Sequence, residues 1–195
     1  MRLCGQCGNL DKRKNPPCKL GLPCEKSEKT GEYIRPSKCK KKAVKAKIAR
    51  EKAFKNAQQT AIDSFQMWIR YRDNWTCVVC GKHVDPNSPG AKQEMHAGHY
   101  VSRKYKSLLL DPKNVNAQCK DCNGRQNWLG MDPRYTQYMI RTYGPEILDY
   151  LYQKQHEIHK IGHAEWSELA TYWSEQLESI KKDLTKTQIS DTIES

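Results

Sequence analysis

The sequence predicts an α+β chain that is mostly helical, with a small zinc-stabilised core flanked by long helices and a cysteine-rich zinc-binding unit at the N-terminus. Three observations carry that prediction. Hydrophobic residues make up 37% of the 195 positions and the mean hydropathy is −0.91, too little for one large apolar core. The nine cysteines fall largely into CxxC pairs or near-pairs, the spacing of zinc thiolates rather than of a disulfide scaffold. Long runs free of Gly and Pro are filled with strong helix formers.

Residues 1–39 interleave Cys4, Cys7, Cys18, Cys24 and Cys39 with Gly and Pro ("NPPCKLGLPC", "YIRPSKC"). That punctuation excludes long helices, and so small a unit needs a metal to fold. Four of the five cysteines are expected to hold zinc. Residues 40–72 contain no breaker and read as a basic helix, exposed in its first half. From Ala61 onward Ile62, Phe65, Trp68 and Ile69 recur at helical spacing and mark a face that docks on the next domain.

Residues 73–130 hold "TCVVCG" and "AQCKDCN", so Cys77, Cys80, Cys119 and Cys122 supply the four thiolates of a structural zinc. Short strands are expected near 94–96 and around Val115, with a helix starting at the second cysteine pair and running through Asn127. Residues 131–184 return to helix. "DPRYTQYMIRTYG" opens on an Asp cap with Pro behind it and stops at Gly144. A second helix runs from Pro145 to near Gly162, placing His156, His159 and His163 at helical spacing, and a third ends at Leu184. Residues 185–195 read as a flexible polar tail.

Charge is distributed unevenly. The net charge is +12, and residues 1–60 carry 17 Lys/Arg against 5 Asp/Glu, so the rest of the chain is balanced. Such a block is tolerated where a polyanion neutralises it, which makes DNA the expected partner. Lys40, Lys41, Lys42, Lys45, Lys47, Arg50, Lys52 and Lys55 are the expected contacts. No apolar run is long enough to cross a bilayer, and "MRLCGQCGNL" is unlike a signal peptide, so the expected location is cytoplasmic with no membrane partner.

A zinc closed by four thiolates has no open position and cannot activate water. Any chemistry falls to other groups in the cysteine loop: His96 and His99 in "MHAGHY", Asn114 and Asn116 in "DPKNVNAQC", then Asn123 and Asn127, one helical turn apart. Phosphodiester hydrolysis needs a base for water and a cation for the departing oxygen. Amide oxygens suit Mg²⁺, and a neighbouring histidine also admits Mn²⁺.

The run "GH", then "N-V-x-x-Q-C-x-x-C-N", resembles the HNH (His-Me finger, ββα-metal) nucleases, in which a hairpin and helix are pinned by paired CxxC motifs. "AGHY", "NVNAQCKDCN" and "IRTYGPEILDYL" are similar, over about residues 60–184, to the NinG (Rap) family of lambdoid phage recombination endonucleases. The resemblance implies that His99 is the general base and that Asn114 orients it through the backbone. It also implies that His96, Asn123 and Asn127 hold a catalytic Mg²⁺ while zinc stays structural. Where the wider family often carries an Asp or His metal ligand before the base, this chain has Gly98. His96 is expected to take that role, with Asp111 and Asp121 as alternatives. The implied function is a metal-dependent, phage- or prophage-encoded DNA endonuclease acting on branched recombination intermediates such as D-loops and Holliday junctions, for which two symmetric cuts favour a homodimer. The alternative is a non-catalytic zinc-containing DNA-binding recombination accessory protein.

Overall fold

The computed structural model describes residues 25–26, 33–34 and 37–193, with side chains from 44 onward except at 127, 128 and 187–193. The expected N-terminal zinc unit therefore lies outside the described residues, as do the side chains of Lys40, Lys41 and Lys42. The chain divides into two compact units, residues 1–55 and 56–195. In the first, β1 (Glu25–Lys26) pairs antiparallel with β2 (Tyr33–Ile34). Lys45, Lys47, Arg50, Lys52 and Lys55 are all exposed there, on a helix whose apolar residues are too sparse to bury a face.

That helix is α1 (Ser37–Arg72). Over its last turns the apolar spacing read from the sequence becomes a buried stripe: Ala61, Phe65 and Ile69 are 0–1% exposed. Phe65 meets Trp173 edge-on, with ring centroids 4.6 Å apart, a favourable arrangement of aromatic quadrupoles. Val115 completes this cluster.

After α1 the chain forms the first cysteine turn, a short helix α2 (Ala91–Glu94), and the hairpin strands β3 (Met95–His99) and β4 (Val115–Cys119). The strands are antiparallel, with His96 opposite Gln118, Gly98 opposite Asn116 and His99 opposite Val115. The helix α3 (Lys120–Leu129) follows without a gap. This is the hairpin and helix expected between 73 and 130, and it packs on a core that includes Met95, Leu108, Ala117, Tyr135 and Met139.

Helix α4 (Pro133–Tyr143) opens as the sequence predicts: the Asp132 side chain accepts a hydrogen bond from the Arg134 backbone N–H, and Pro133 takes the first position. Gly144 ends the helix at φ 86°, a backbone conformation that other residues adopt only at a cost. Two later boundaries differ from expectation. Helix α5 (Ile147–Gln155) stops seven residues short of Gly162, so His156 and His159 leave the helix and make no row with His163. Helix α6 (His163–Ile193) continues beyond Leu184 to Ile193; its polar last turns keep helical propensity with no Gly or Pro to stop them. Among the described residues, no helix is long and apolar enough to cross a membrane.

Candidate active site and zinc cluster

The first cysteine pair sits on a turn in which the Gly81 N–H donates to the Cys77 carbonyl and the Cys77 N–H to the Lys82 carbonyl. Gly81 has φ 75°, which fits glycine at the apex. The second pair straddles the junction of β4 and α3. Sulfur atoms of Cys77, Cys80, Cys119 and Cys122 all lie within 4.8 Å of one another, and none is in a disulfide. Cys80 and Cys119 sulfurs are 3.7 Å apart, close to the ~3.8 Å edge of a tetrahedron with zinc–sulfur bonds of about 2.3 Å. Burial pushes the Cys77 thiol up from its ordinary pKa, and backbone hydrogen bonds from Cys119, Cys80 and Val79 oppose this by favouring the thiolate. The cluster is consistent with a structural zinc, for which four sulfurs would leave no open position.

His99 ends β3, half-buried. Its Nε2–H donates to the Leu109 carbonyl at 3.0 Å. A carbonyl only accepts, so Nε2 carries the proton of the neutral ring and the Nδ1 lone pair is left for chemistry. Burial pushes the imidazole below its ordinary pKa; the Leu109 carbonyl opposes this and the charge of Arg103 adds to it.

Asn114 is fully buried and builds the loop that supplies this acceptor. Its side-chain oxygen accepts from the Val101 N–H at 2.7 Å, and its amide donates to the Val101 and Leu108 carbonyls, each at 3.0 Å. The residue after Leu108 is the acceptor for His99. Asn114 thus braces the loop that carries the Leu109 carbonyl.

His96 is placed differently from expectation. Its Nε2–H donates to the Gln93 carbonyl at 2.9 Å, and its Nδ1 accepts from the Asn123 amide at 3.0 Å. Both ring nitrogens are occupied, so His96 holds Asn123 in one orientation instead of offering a free lone pair. Asn127 has its backbone in α3, and its side chain is outside the described residues. Asp111 is committed elsewhere: its carboxylate pairs with Lys154 at 2.9 Å, accepts from Tyr150 at 2.7 Å and lines a separate cleft. Asp121 is exposed in the first turn of α3.

A polar cleft of about 480 Å³ lies between β3 and α3, with His99, Arg103, Asn123 and Gln126 among its walls. A second cleft, with Arg103, Lys104 and Lys106 among its walls, also includes His99. His99 therefore lines two grooves that share Arg103.

Several residues behind the cleft escaped sequence reasoning. Arg72 donates to the Pro112 and Val115 carbonyls and to the Asn116 side-chain oxygen, and Asp73 accepts from the Ala117 N–H at 2.7 Å. Tyr135 donates to the Gly98 carbonyl at 3.1 Å; burial pushes its phenol well above its ordinary pKa, so it remains a donor. Gln126 donates to the His99 carbonyl at 2.9 Å and accepts from the Gln118 amide at 3.0 Å. Only the "Q-C-x-x-C-N-x-x-Q" spacing hinted at the last pair.

These features define a class: a mostly helical protein built on a hairpin and helix that share a four-cysteine cluster, with a histidine facing the cleft between them. The chain belongs to the NinG family, for the family model described as bacteriophage lambda NinG protein matches residues 4–183. No curated protein and no solved structure matches it.

Proposed function

We propose that this protein is a metal-dependent endonuclease of the HNH type that hydrolyses phosphodiester bonds in branched recombination intermediates. The observation that carries the reading is His99, held by Leu109 in the tautomer that frees Nδ1 and lining two grooves that share Arg103, one of them also walled by Lys104 and Lys106. Water placed against Nδ1 loses a proton to it as the water oxygen bonds to phosphorus and the bond to the departing sugar oxygen breaks. Arg103 meets the phosphate oxygens, where a fork of N–H donors matches their geometry. Asn123, turned by His96, directs its oxygen towards the backbone at Gly98.

The donors available beside His99 are amide oxygens, a set that fits Mg²⁺ and also Mn²⁺. A divalent cation bound there supplies Lewis-acid stabilisation of the charge on the departing oxygen. The exposed Lys45, Lys47, Arg50, Lys52 and Lys55 suit a duplex arm, where contacts to phosphate position DNA without reading its sequence. Preference for D-loops or Holliday junctions is what the resemblance to recombination endonucleases implies.

The test is nicking of end-labelled four-way junctions, D-loops and linear duplex in Mg²⁺ or Mn²⁺, by wild type and by His99→Ala. Cleavage of branched DNA by wild type alone is the expected result. Junction binding with no cleavage by either protein in either metal would establish the non-catalytic accessory reading instead.

A further inference from the structure

We propose that Gln118 is a ligand of the divalent cation, supplying from β4 an oxygen that the neighbouring strand cannot. This rests on the metal-dependent reading above and gives a role to Gln118, the glutamine of "NVNAQCKDCN", to which the resemblance assigns none.

The argument begins with an unsatisfied atom. Gln118 is fully buried, and its side-chain oxygen has no hydrogen-bond partner, whereas its amide donates to Gln126. A buried carbonyl oxygen without a partner is costly, and almost all such groups in folded proteins are satisfied by protein, water or an ion. The amide cannot simply be reversed, because its NH₂ would then face Gly98 while its oxygen met the Gln126 oxygen. Gln126 is itself oriented by donating to the His99 carbonyl. The orientation of Gln118 is therefore set by a chain of bonds leading to the candidate base.

Its surroundings point to a cation. A β-carbon added to Gly98 would overlap the Gln118 oxygen and lie 3.0 Å from the Asn123 side-chain oxygen. Two neutral, electron-rich oxygens thus converge above Gly98, which offers Gln118 no more than weak C–H contacts. Asn123 is held in this orientation by His96 and also lines the cleft beside His99. Two such oxygens brought close together repel unless a positive charge lies between them. Asn123 gives the pair an edge on the cleft while Gln118 supplies its oxygen from the closed interior, and hard carbonyl donors match a divalent cation that takes its remaining ligands from water on the cleft side.

Gly98 has no positive φ that would demand glycine. The need for a missing side chain arises from Gln118 alone. Residues 98 and 118 consequently share one volume, and either could fill it.

The test measures metal binding to the full-length protein without DNA. Titration with Mn²⁺ is followed by loss of the free-ion EPR signal and repeated by calorimetry with Mg²⁺; zinc content and melting temperature report folding. Wild type is expected to bind one Mn²⁺ in competition with Mg²⁺. Gln118→Leu should weaken it roughly tenfold or more, within the ~10–100-fold range seen when groups supporting a metal site are removed. Gln118→Glu should tighten it and enlarge the rise in melting temperature that Mn²⁺ produces. Gly98→Asp combined with Gln118→Ala should restore binding by placing a carboxylate in the vacated volume.

Wild-type affinity in Gln118→Leu, with binding lost in Asn123→Ala, would overturn the role of Gln118 and leave the metal reading intact. Absence of Mn²⁺ binding to wild type would remove both. Should Gln118→Leu not fold, Gln118→Glu decides the matter, since affinity no greater than wild type overturns the proposal.

Discussion

The Nε2–H of His99 donates to the carbonyl of Leu109, ten residues along the chain, at 3.0 Å. That one bond selects the tautomer and leaves Nδ1 with its lone pair. In His99→Ala the base is lost while the grooves keep their charge. Cleavage is expected to fall about 10²–10⁴-fold, the usual worth of a positioned general base, and junction affinity to stay near wild type. A comparable fall in binding, read by gel shift in Ca²⁺, would make His99 a contact residue.

The pH dependence follows from burial. Because His99 has its pKa lowered, chiefly by desolvation, the neutral base persists below the ordinary value of about 6.5. Cleavage should rise with pH, with its midpoint below that value. Arg103 adds to the depression, so Arg103→Gln should move the acid limb to higher pH, whatever happens to the maximum rate. The sign for stability agrees: the folded state binds this proton less readily than the unfolded chain, so the His99 contribution turns unfavourable as pH falls below about 6.5. A limb that does not move in Arg103→Gln would separate Arg103 from the base.

Asn114→Ala removes three hydrogen bonds and strands two carbonyls and an N–H in the interior. The expected cost is on the order of 2–4 kcal/mol, seen as a lower urea midpoint. The 101–109 loop then loses its anchor, and activity should drop further than stability accounts for at temperatures where the variant remains folded. Unchanged turnover in the folded variant would show that the Leu109 carbonyl needs no such support.

Zinc at the four-cysteine cluster is expected to make folding metal-dependent. Zinc binding to such sites is worth ~10 kcal/mol or more, as much as a whole small domain. Cys119→Ser, or chelation of wild type, should abolish the near-ultraviolet signal of the Trp75 environment and the cooperative melt. A native melt in protein assayed free of zinc would contradict the assignment.

Replacing Lys45, Lys47, Lys52 and Lys55 together by Gln tests the exposed basic face. If all four contact phosphates, the slope of log affinity against log salt should shrink by up to about 3.6, at ~0.9 per phosphate on B-DNA. An unaltered slope would move the duplex contact to another surface, such as the Arg103 grooves.

How much was legible in the sequence varied with the range of the interaction. The paired cysteines, the Asp132 cap with Pro133 and the apolar spacing through Phe65 and Ile69 act over a few residues, so their meaning survives in a linear reading. The end of α5 did not. Gln155 and Gly162 are both acceptable termini by local propensity, and the break after Gln155 carries no Gly or Pro to announce it. Motif resemblance singled out His99, Asn114 and Asn123 as candidates, but not that both nitrogens of His96 would be engaged.

By itself the sequence determined the zinc cluster, the hairpin and helix it joins, the basic helix and the histidine between the cysteine pairs, because each follows from residue type at fixed spacing. Only the tertiary structure decided the tautomer of His99, the capture of both His96 nitrogens, the Arg72 and Asp73 struts and the shared volume of Gly98 and Gln118. Those depend on atoms that are remote in sequence meeting in a low-dielectric interior. There each buried donor or acceptor must find a partner, and which partner it finds is a property of the packed chain.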